Sequence, residues 1–330
     1  MSDQHATMTC ASGPTIAIVA PGSMGSAVAR RLTSPPHPCT VLTSLDNRSP
    51  ASISRAHSAG MQDSPLTGIA RRADWVLSIV PPASAESFAK EFIGAYQACE
   101  DANPRLVFVD CNALSPMTKQ RVASLFLGTS VRFLDACIIG IEPSPGYDPA
   151  FYAAASPKPG DQEALDAFER LGERALKVKL LRGEGVGVGD AAALKMSYSG
   201  IAKGFIGLTA TMILAAHASS PATAHALLTE LRVSQPQYLE NIVRWVPGMF
   251  PKAYRFVAEM EEMAEFVRVG LGNGEAKMFE GYARLFERIA NVRNGGTTAA
   301  EKEQASDVDL LRAFVENAKE ALKGAGEKEY

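Results

Sequence analysis

The sequence predicts a doubly wound, mainly parallel α/β sheet followed by an all-helical region. Three observations carry that prediction. Short β-branched apolar runs alternate with helical segments up to about residue 183. A Gly-rich turn follows the first of those runs. Beyond about residue 183 the strand signals stop. A chain of 330 residues also exceeds the ~100–200 residues of a typical single domain.

Residues 1–13, MSDQHATMTCASG, have neither a basic region nor an apolar run, so they read as a disordered tail rather than a secretory signal. Thr15–Ala20 (TIAIVA) is uncharged and β-branched, as a strand buried on both faces requires. Pro21-Gly22-Ser23-Met24-Gly25 then opens a helix over Ser26–Leu32. Further strands are expected at Thr40–Leu45, Trp75–Val80, Leu106–Asp110, Val131–Ala136, Phe151–Ala155 and Leu176–Leu181. Helices are expected between them at Ser84–Glu100, Pro116–Leu127 and Gln162–Gly172. Glu184–Gly189 (EGVGVG) is a Gly-rich junction, and helices follow at about 190–218, 222–231, 235–245, 251–268, 274–292 and 305–323. Asn294-Gly295-Gly296 marks a break before the last of them. The expected domains are therefore 14–183 and 184–330.

Composition excludes several classes. Lys+Arg 33 against Asp+Glu 36 gives a net charge of −3, with no broad positive surface for nucleic acid. Aromatics at 7% leave little for base stacking. The five Cys form no CxxC pair and the five His no HxxxH pair, so neither a disulfide framework nor a metal site is expected, and reduced cytoplasmic thiols are. Gly204–Thr229 has no charge, but its apolar core, Phe205–Ala216, is shorter than the ~20 residues of a membrane span.

The turn after the first strand reads Ala20-x-Gly22-x-x-Gly25. In a Rossmann domain the second Gly of GxGxxG admits the pyrophosphate to the backbone, and the third lets helix and strand pack closely. Gly22, Ser23, Met24 and Gly25 are thus candidate cofactor contacts, with Ala20 at the first Gly position. The second strand ends in Asp46-Asn47-Arg48-Ser49. An acid there suits a free ribose 2′-hydroxyl, while Arg48 flanked by Asn47 and Ser49 suits a 2′-phosphate. NADP is favoured over NAD on this ground.

The helix near 190–218 should be buried on most sides, since Leu194, Met196, Ile201, Phe205, Leu208, Ile213 and Leu214 spread around it. Lys195, Ser199 and Lys203 recur at i, i+4, i+8, with Tyr198 beside them. Two lysines on such a helix need a cavity or anionic partners. Gly200, Gly204 and Gly207 form a small face that invites the close approach of another helix or subunit. Glu259, Glu261 and Glu262 flank an apolar stripe and read as a solvated face.

Taken together, VLTSLDNRS (41–49), ADWVLSIVPP (73–82), VDCNALSP (109–116), ALKMSYSGIAKG (193–204) and AEMEEMAEF (258–266) resemble the β-hydroxyacid dehydrogenase and 6-phosphogluconate dehydrogenase superfamily. The nearest likeness is a branch with a phosphogluconate-dehydrogenase-like C-terminal domain. The resemblance runs from about Thr15 to about Gly270. It implies a Rossmann domain and a helical domain with a cleft between them, a homodimer through the helical domains, and a small-molecule substrate. It also implies a catalytic lysine at Lys195, cofactor contacts at Val80, Pro81 and Asn112, and a substrate loop that includes Gly140; Ser199 and Lys203, on the polar stripe, are the other candidate substrate contacts. Two departures matter: the family's DxPxSGG loop is Asp135–Ile141 here with Ile139 for the Ser, and the Asn three residues after the lysine is Tyr198. The implied activity is an NAD(P)-dependent oxidoreductase acting on a hydroxy or carbonyl compound. An imine reductase or opine-type dehydrogenase using Tyr198, and a non-catalytic NADP(H)-binding regulator, are the alternatives.

Overall fold

The computed structural model describes residues 13–36, 38–291 and 299–326. The expected tail, apart from Gly13, and the Asn294-Gly295-Gly296 break lie outside them. The chain forms two compact units that divide between Lys195 and Met196.

The first unit is built on one eight-stranded sheet. Its strands are β1 (Thr15–Val19), β2 (Thr40–Thr43), β3 (Gln62–Asp63), β4 (Trp75–Ser78), β5 (Val107–Asp110), β6 (Arg132–Ile139), β7 (Ala150–Ala154) and β8 (Lys177–Leu180). They lie in the order β3-β2-β1-β4-β5-β6-β7-β8, all neighbours parallel except β6 and β7. Strand order therefore reverses between β1 and β4, where Val19 pairs with Ser78. In open α/β sheets the ligand crevice lies outside the carboxyl ends of the strands at that point.

Helices α1 (Ser23–Thr33), α2 (Pro50–Ser58), α3 (Leu66–Arg72), α4 (Pro82–Gln97), α5 (Pro116–Ser124) and α6 (Pro159–Ala175) connect the strands. Successive β1 residues serve opposite faces. Ile16 and Ile18 join Val28, Leu32, Leu77 and Phe168 on one side. Ala17 and Val19 join Val76, Phe88, Phe92 and Phe108 on the other. Both faces being apolar is what makes the strands read as continuous hydrophobic runs. Sequence reading passes over β3, α2 and α3. Both β3 residues are exposed, and α2 buries only Ala56.

The second unit is helical. It comprises most of α7 (Asp190–Ser219), with α8 (Pro221–Ser234), α9 (Pro236–Met249), α10 (Ala253–Leu271), α11 (Asn273–Asn291) and α12 (Ala299–Gly326). Pro at the first turn, after a Ser220 cap, starts α8. Only Gly272, at φ 111°, separates α10 from α11. Phe256 meets Phe286 edge-on at 5.3 Å, and Arg268 of α10 bonds Glu280 of α11. The sheet ends at Leu180, near the expected boundary, yet the compact unit runs on to Lys195 because the first turn of α7 is tied to β6.

Candidate active site

The loop after β1 has three distinct backbone demands. Ala20 adopts φ 67°, the left-handed conformation that disfavours a side chain by about 1–2 kcal/mol. A Cβ on Gly22 would meet nothing within 4 Å, so its face is open to a ligand. A Cβ on Gly25 would lie 2.7 Å from the Ala20 carbonyl oxygen and 3.3 Å from Ile18 Cγ2, so α1 approaches β1 closely there. Gly22 and Ser23 are exposed and Met24 half-buried at the helix N-terminus. These are the positions a bound pyrophosphate needs, and the residues present fit a dinucleotide.

At the end of β2, Asn47 is also left-handed, at φ 57°. Asp46, Asn47, Arg48 and Ser49 are all exposed. Ser49 caps α2 by accepting the Ser52 amide, and the two hydroxyls lie 3.1 Å apart. Arg55, which sequence reading misses, joins this turn to the β1 loop. Its Nε donates to the Pro21 carbonyl at 3.0 Å and its Nη2 to Ser52 Oγ at 2.9 Å. The Ser49-Pro50 pair, a cap followed by a first-turn proline, is the signal that could have revealed α2 and hence Arg55.

Val80 and Pro81 follow β4, and Asn112 follows β5. Asn112 is buried: its Oδ1 accepts the Val80 amide at 2.7 Å and its Nδ2 donates to Ser78 Oγ at 2.9 Å. Its side chain fixes the loop bearing Val80 and Pro81. Beneath it, Lys119 of α5 is fully buried beside Asp110 and Asp135, at 3.0 and 3.4 Å. Burial alone would depress Lys119, but the two carboxylates hold it above its ordinary value. Nothing in the local sequence distinguishes Lys119 from a surface helix lysine.

Asp135, expected near the end of the strand Val131–Ala136, lies within β6 and is fully buried. Its Oδ2 accepts the amides of Gly189, Ala191 and Ala192 at 2.8, 3.0 and 3.3 Å, capping α7. Burial drives its carboxyl above the usual range, against the pull of Lys119 and the helix amides. Three residues along β6, the Ile138 carbonyl accepts Lys195 Nζ at 2.7 Å. Gly140 sits just beyond, at φ 130°, where Tyr147 crowds the space a side chain would fill. Cys137 packs on Ala191, and burial pushes its thiol up to about 11. Among the described residues, Cys99, Cys111 and Cys137 are buried and form no disulfide.

The expectation that α7 is buried on most sides is corrected. Met196 and Ile213 are buried, but Tyr198, Ile201, Leu208 and Met212 are 54%, 78%, 52% and 48% exposed. The apolar residues spread around α7 outnumber those its neighbours in the chain cover. Its small face does receive another helix: a Cβ on Gly207 would lie 2.6 Å from the Tyr282 ring of α11, and one on Gly200 3.5 Å from Phe279. Ser199 is buried. Lys203 pairs with Glu259 at 2.6 Å and lies over the Phe256 ring, so Glu259 belongs to an ion pair rather than a solvated face. Among the described residues α7 alone is long and apolar enough to cross a membrane, and its two lysines are tied into the protein. Also among the described residues, no group of His, Cys, Asp and Glu could hold a metal.

Two family models match. Residues 15–113 match the family described as NADP oxidoreductase coenzyme F420-dependent, and residues 218–289 match a domain of unknown function, DUF1932. No curated protein matches. Among solved structures, the conserved protein MTH1747, of unknown function and structurally similar to 3-hydroxyacid dehydrogenases, is 24% identical with TM-score 0.60, covering 86% of this chain and 100% of that one. A conserved hypothetical protein from Sinorhizobium meliloti 1021 is 21% identical with TM-score 0.62, covering 92% and 97%. A 3-hydroxyisobutyrate dehydrogenase from Salmonella typhimurium is 16% identical with TM-score 0.56, covering 91% and 99%. The fold is thus that of structures similar to 3-hydroxyacid dehydrogenases, and the two family matches, one in each unit, agree with the resemblance to the β-hydroxyacid dehydrogenase and 6-phosphogluconate dehydrogenase superfamily.

Proposed function

We propose that the chain is an NADP-using oxidoreductase that interconverts a small hydroxy compound and its carbonyl, with Lys195 as proton donor or acceptor. The observation that carries this reading is the β1 turn, with Ala20 left-handed, Gly22 open and Gly25 pressed against the Ala20 carbonyl. The family match over residues 15–113, whose description names NADP, supports it.

Gly22, Ser23, Met24 and Gly25 would hold the pyrophosphate, and Asn47, Arg48 and Ser49 the adenosine 2′-phosphate. Val80, Pro81 and Asn112 would bound the nicotinamide end. When bound, the nicotinamide supplies or accepts the hydride. The chain contributes orientation and proton transfer. An ammonium has three donors, and the one held by the Ile138 carbonyl fixes the direction of the Lys195 head. From there Nζ gives a proton to a carbonyl oxygen on reduction and takes it back on oxidation. Gly140, Ser199 and Lys203 are the proposed substrate contacts. Ile139 sets an apolar side chain where a hydroxyl would clamp a carboxylate, which favours simple carbonyls over hydroxy acids.

Exposure of Tyr198 leaves its hydroxyl accessible, and this favours imine reduction as the second reading. The buried thiols of Cys99, Cys111 and Cys137, outside any disulfide, agree with a reducing, cytoplasmic setting. The exposed apolar residues of α7 agree with a homodimer through the helical unit. The test is a panel of aldehydes, ketones, imines and hydroxy acids assayed by nicotinamide absorbance with NADPH and NADH. Turnover that disappears in Lys195→Ala supports the proposal. Tight NADPH binding without turnover across the panel replaces it with a regulator, and preference for NADH overturns the role given to Arg48.

A further inference from the structure

We propose that Asp135 and Lys119 are positioning residues for Lys195, and that they refer α7 and the loop after β4 to one buried point. This rests on the reading of Lys195 as the proton-transfer group.

Lys119 is the hub. Its Nζ donates to the Asp110 carbonyl and Oδ1 at 2.8 and 3.0 Å, and to the carbonyls of Ala136 and Asn112 at 3.2 and 3.3 Å. Its ammonium stands 3.4 Å from Asp135 Oδ1. Two chains of bonds leave it. On one side Asp110 Oδ1 accepts the Asn112 amide at 2.9 Å, and Asn112 Oδ1 accepts the Val80 amide at 2.7 Å. On the other side Asp135 Oδ2 gathers three amides at the start of α7. Lys195 lies one turn after Ala191, on the same helix face. Its Nζ returns to the Ile138 carbonyl of the strand that carries Asp135.

So β6 holds α7 at two places, the carboxylate at its first turn and a carbonyl at Lys195. Both holds must keep register for the ammonium to keep its direction. A well-packed apolar trio would hold the fold at least as well as three buried ionisable groups. What the polar cluster adds is directed bonds at both ends, which apolar packing cannot supply.

The test needs no substrate. Trace acetic anhydride labels the native protein well below its melting temperature, and each lysine is quantified by mass spectrometry. In Asp135→Ala the Lys195 rate should rise about threefold to tenfold, the value of one lost hydrogen bond, while exposed Lys252 and Lys277 stay unchanged. Asp135→Asn keeps an acceptor oxygen and leaves Asp110 and Lys119 as a one-to-one pair, so it should stay within about twofold of wild type. A general loosening would move all three lysines together, and would not be rescued by Asn.

An unchanged Lys195 rate in Asp135→Ala overturns the proposal. If that variant does not fold, Asp135→Ser replaces it. Hydrogen exchange in wild type gives an independent reading: the Gly189 amide, outside the helix ladder, should be protected, and fast exchange there also overturns the proposal. Loss of turnover in Lys195→Ala tests the underlying role separately, so either reading can fail alone.

Discussion

Lys195 donates its ammonium to the Ile138 carbonyl at 2.7 Å, on the strand whose Asp135 caps the same helix. A side chain held this way is pre-aimed, and general acid–base assistance from such a group contributes about 10²–10⁴-fold. Lys195→Ala is expected to lower kcat by at least about 100-fold, with NADPH affinity within about twofold of wild type. Tyr198→Phe should change kcat less than about threefold on carbonyls. The reverse ranking, measured on one substrate, assigns proton transfer to Tyr198.

The β1 turn separates folding from binding at neighbouring positions. Gly22→Val adds a side chain where nothing stands within 4 Å, so the melting temperature should hold while dinucleotide affinity falls about tenfold or more. Gly25→Ala forces a methyl to 2.7 Å from the Ala20 carbonyl oxygen and should cost about 1–3 kcal/mol of stability. Ala20→Gly relieves the left-handed alanine, less the entropy a glycine adds to the unfolded chain. A net gain of up to about 1 kcal/mol is expected. Thermal melts and fluorescence titration with NADPH read all three.

Cofactor choice should turn on Arg48. A charge-assisted contact to a phosphate is worth about 1.5–3 kcal/mol, or roughly tenfold to 100-fold in affinity. Arg48→Ala should lose that factor for NADPH and change NADH affinity little. Arg55 is a contrast, because it bonds the Pro21 carbonyl and Ser52 rather than standing at the turn tip. Arg55→Ala should weaken both dinucleotides alike, since it loosens the loop they share. Paired titrations of the two variants distinguish selectivity from scaffolding.

Much of this arrangement is readable from sequence, and the exceptions have physical reasons. TIAIVA followed by a Gly-rich turn identifies β1 and the start of α1 because burial on both faces and a close helix–strand approach at Gly25 leave strong compositional marks. The helix α2 leaves a weak one, with a single buried residue, and Arg55 is hidden with it. Lys119 and Asp135 are illegible for another reason. Asp135 bonds backbone amides distant in sequence, which carry no residue identity, and Lys119 meets its carbonyls and two carboxylates only once α5 packs on β5 and β6. Lys203 illustrates a third limit. Its spacing from Lys195 is visible, whereas its pairing with Glu259 depends on how α10 meets α7.

Burial sets the chemistry of Cys137. Its thiol is pushed up to about 11, chiefly by desolvation, so little thiolate exists near neutrality. Alkylation near pH 8, mapped by mass spectrometry, should leave native Cys137 unmodified and modify it fully in urea. The sign for stability follows. A thiol raised in the folded state gives its full contribution below the unfolded value of about 8.5, and loses it as pH climbs towards 11. Cys137→Ala should therefore flatten the fall in urea midpoint between about pH 8 and pH 10. An unchanged slope would show that this thiol does not govern the alkaline limb.

The exposed face of α7 gives the last prediction. Ile201, Leu208 and Met212 present large apolar side chains along a helix whose small face, about a quarter-turn away, is already filled by Tyr282 and Phe279 of α11. Fully burying such a side chain is worth about 1.5–3 kcal/mol, so several of them on one face make self-association favourable. Ile201→Asp combined with Leu208→Asp should convert a dimer to a monomer in light scattering. Each carboxylate would have to be desolvated at the interface but stays hydrated in the monomer. Because both positions are exposed within the chain, the monomer should keep its helical circular dichroism. If wild type is already monomeric at micromolar concentration, or the double variant stays dimeric, the α7 interface is wrong.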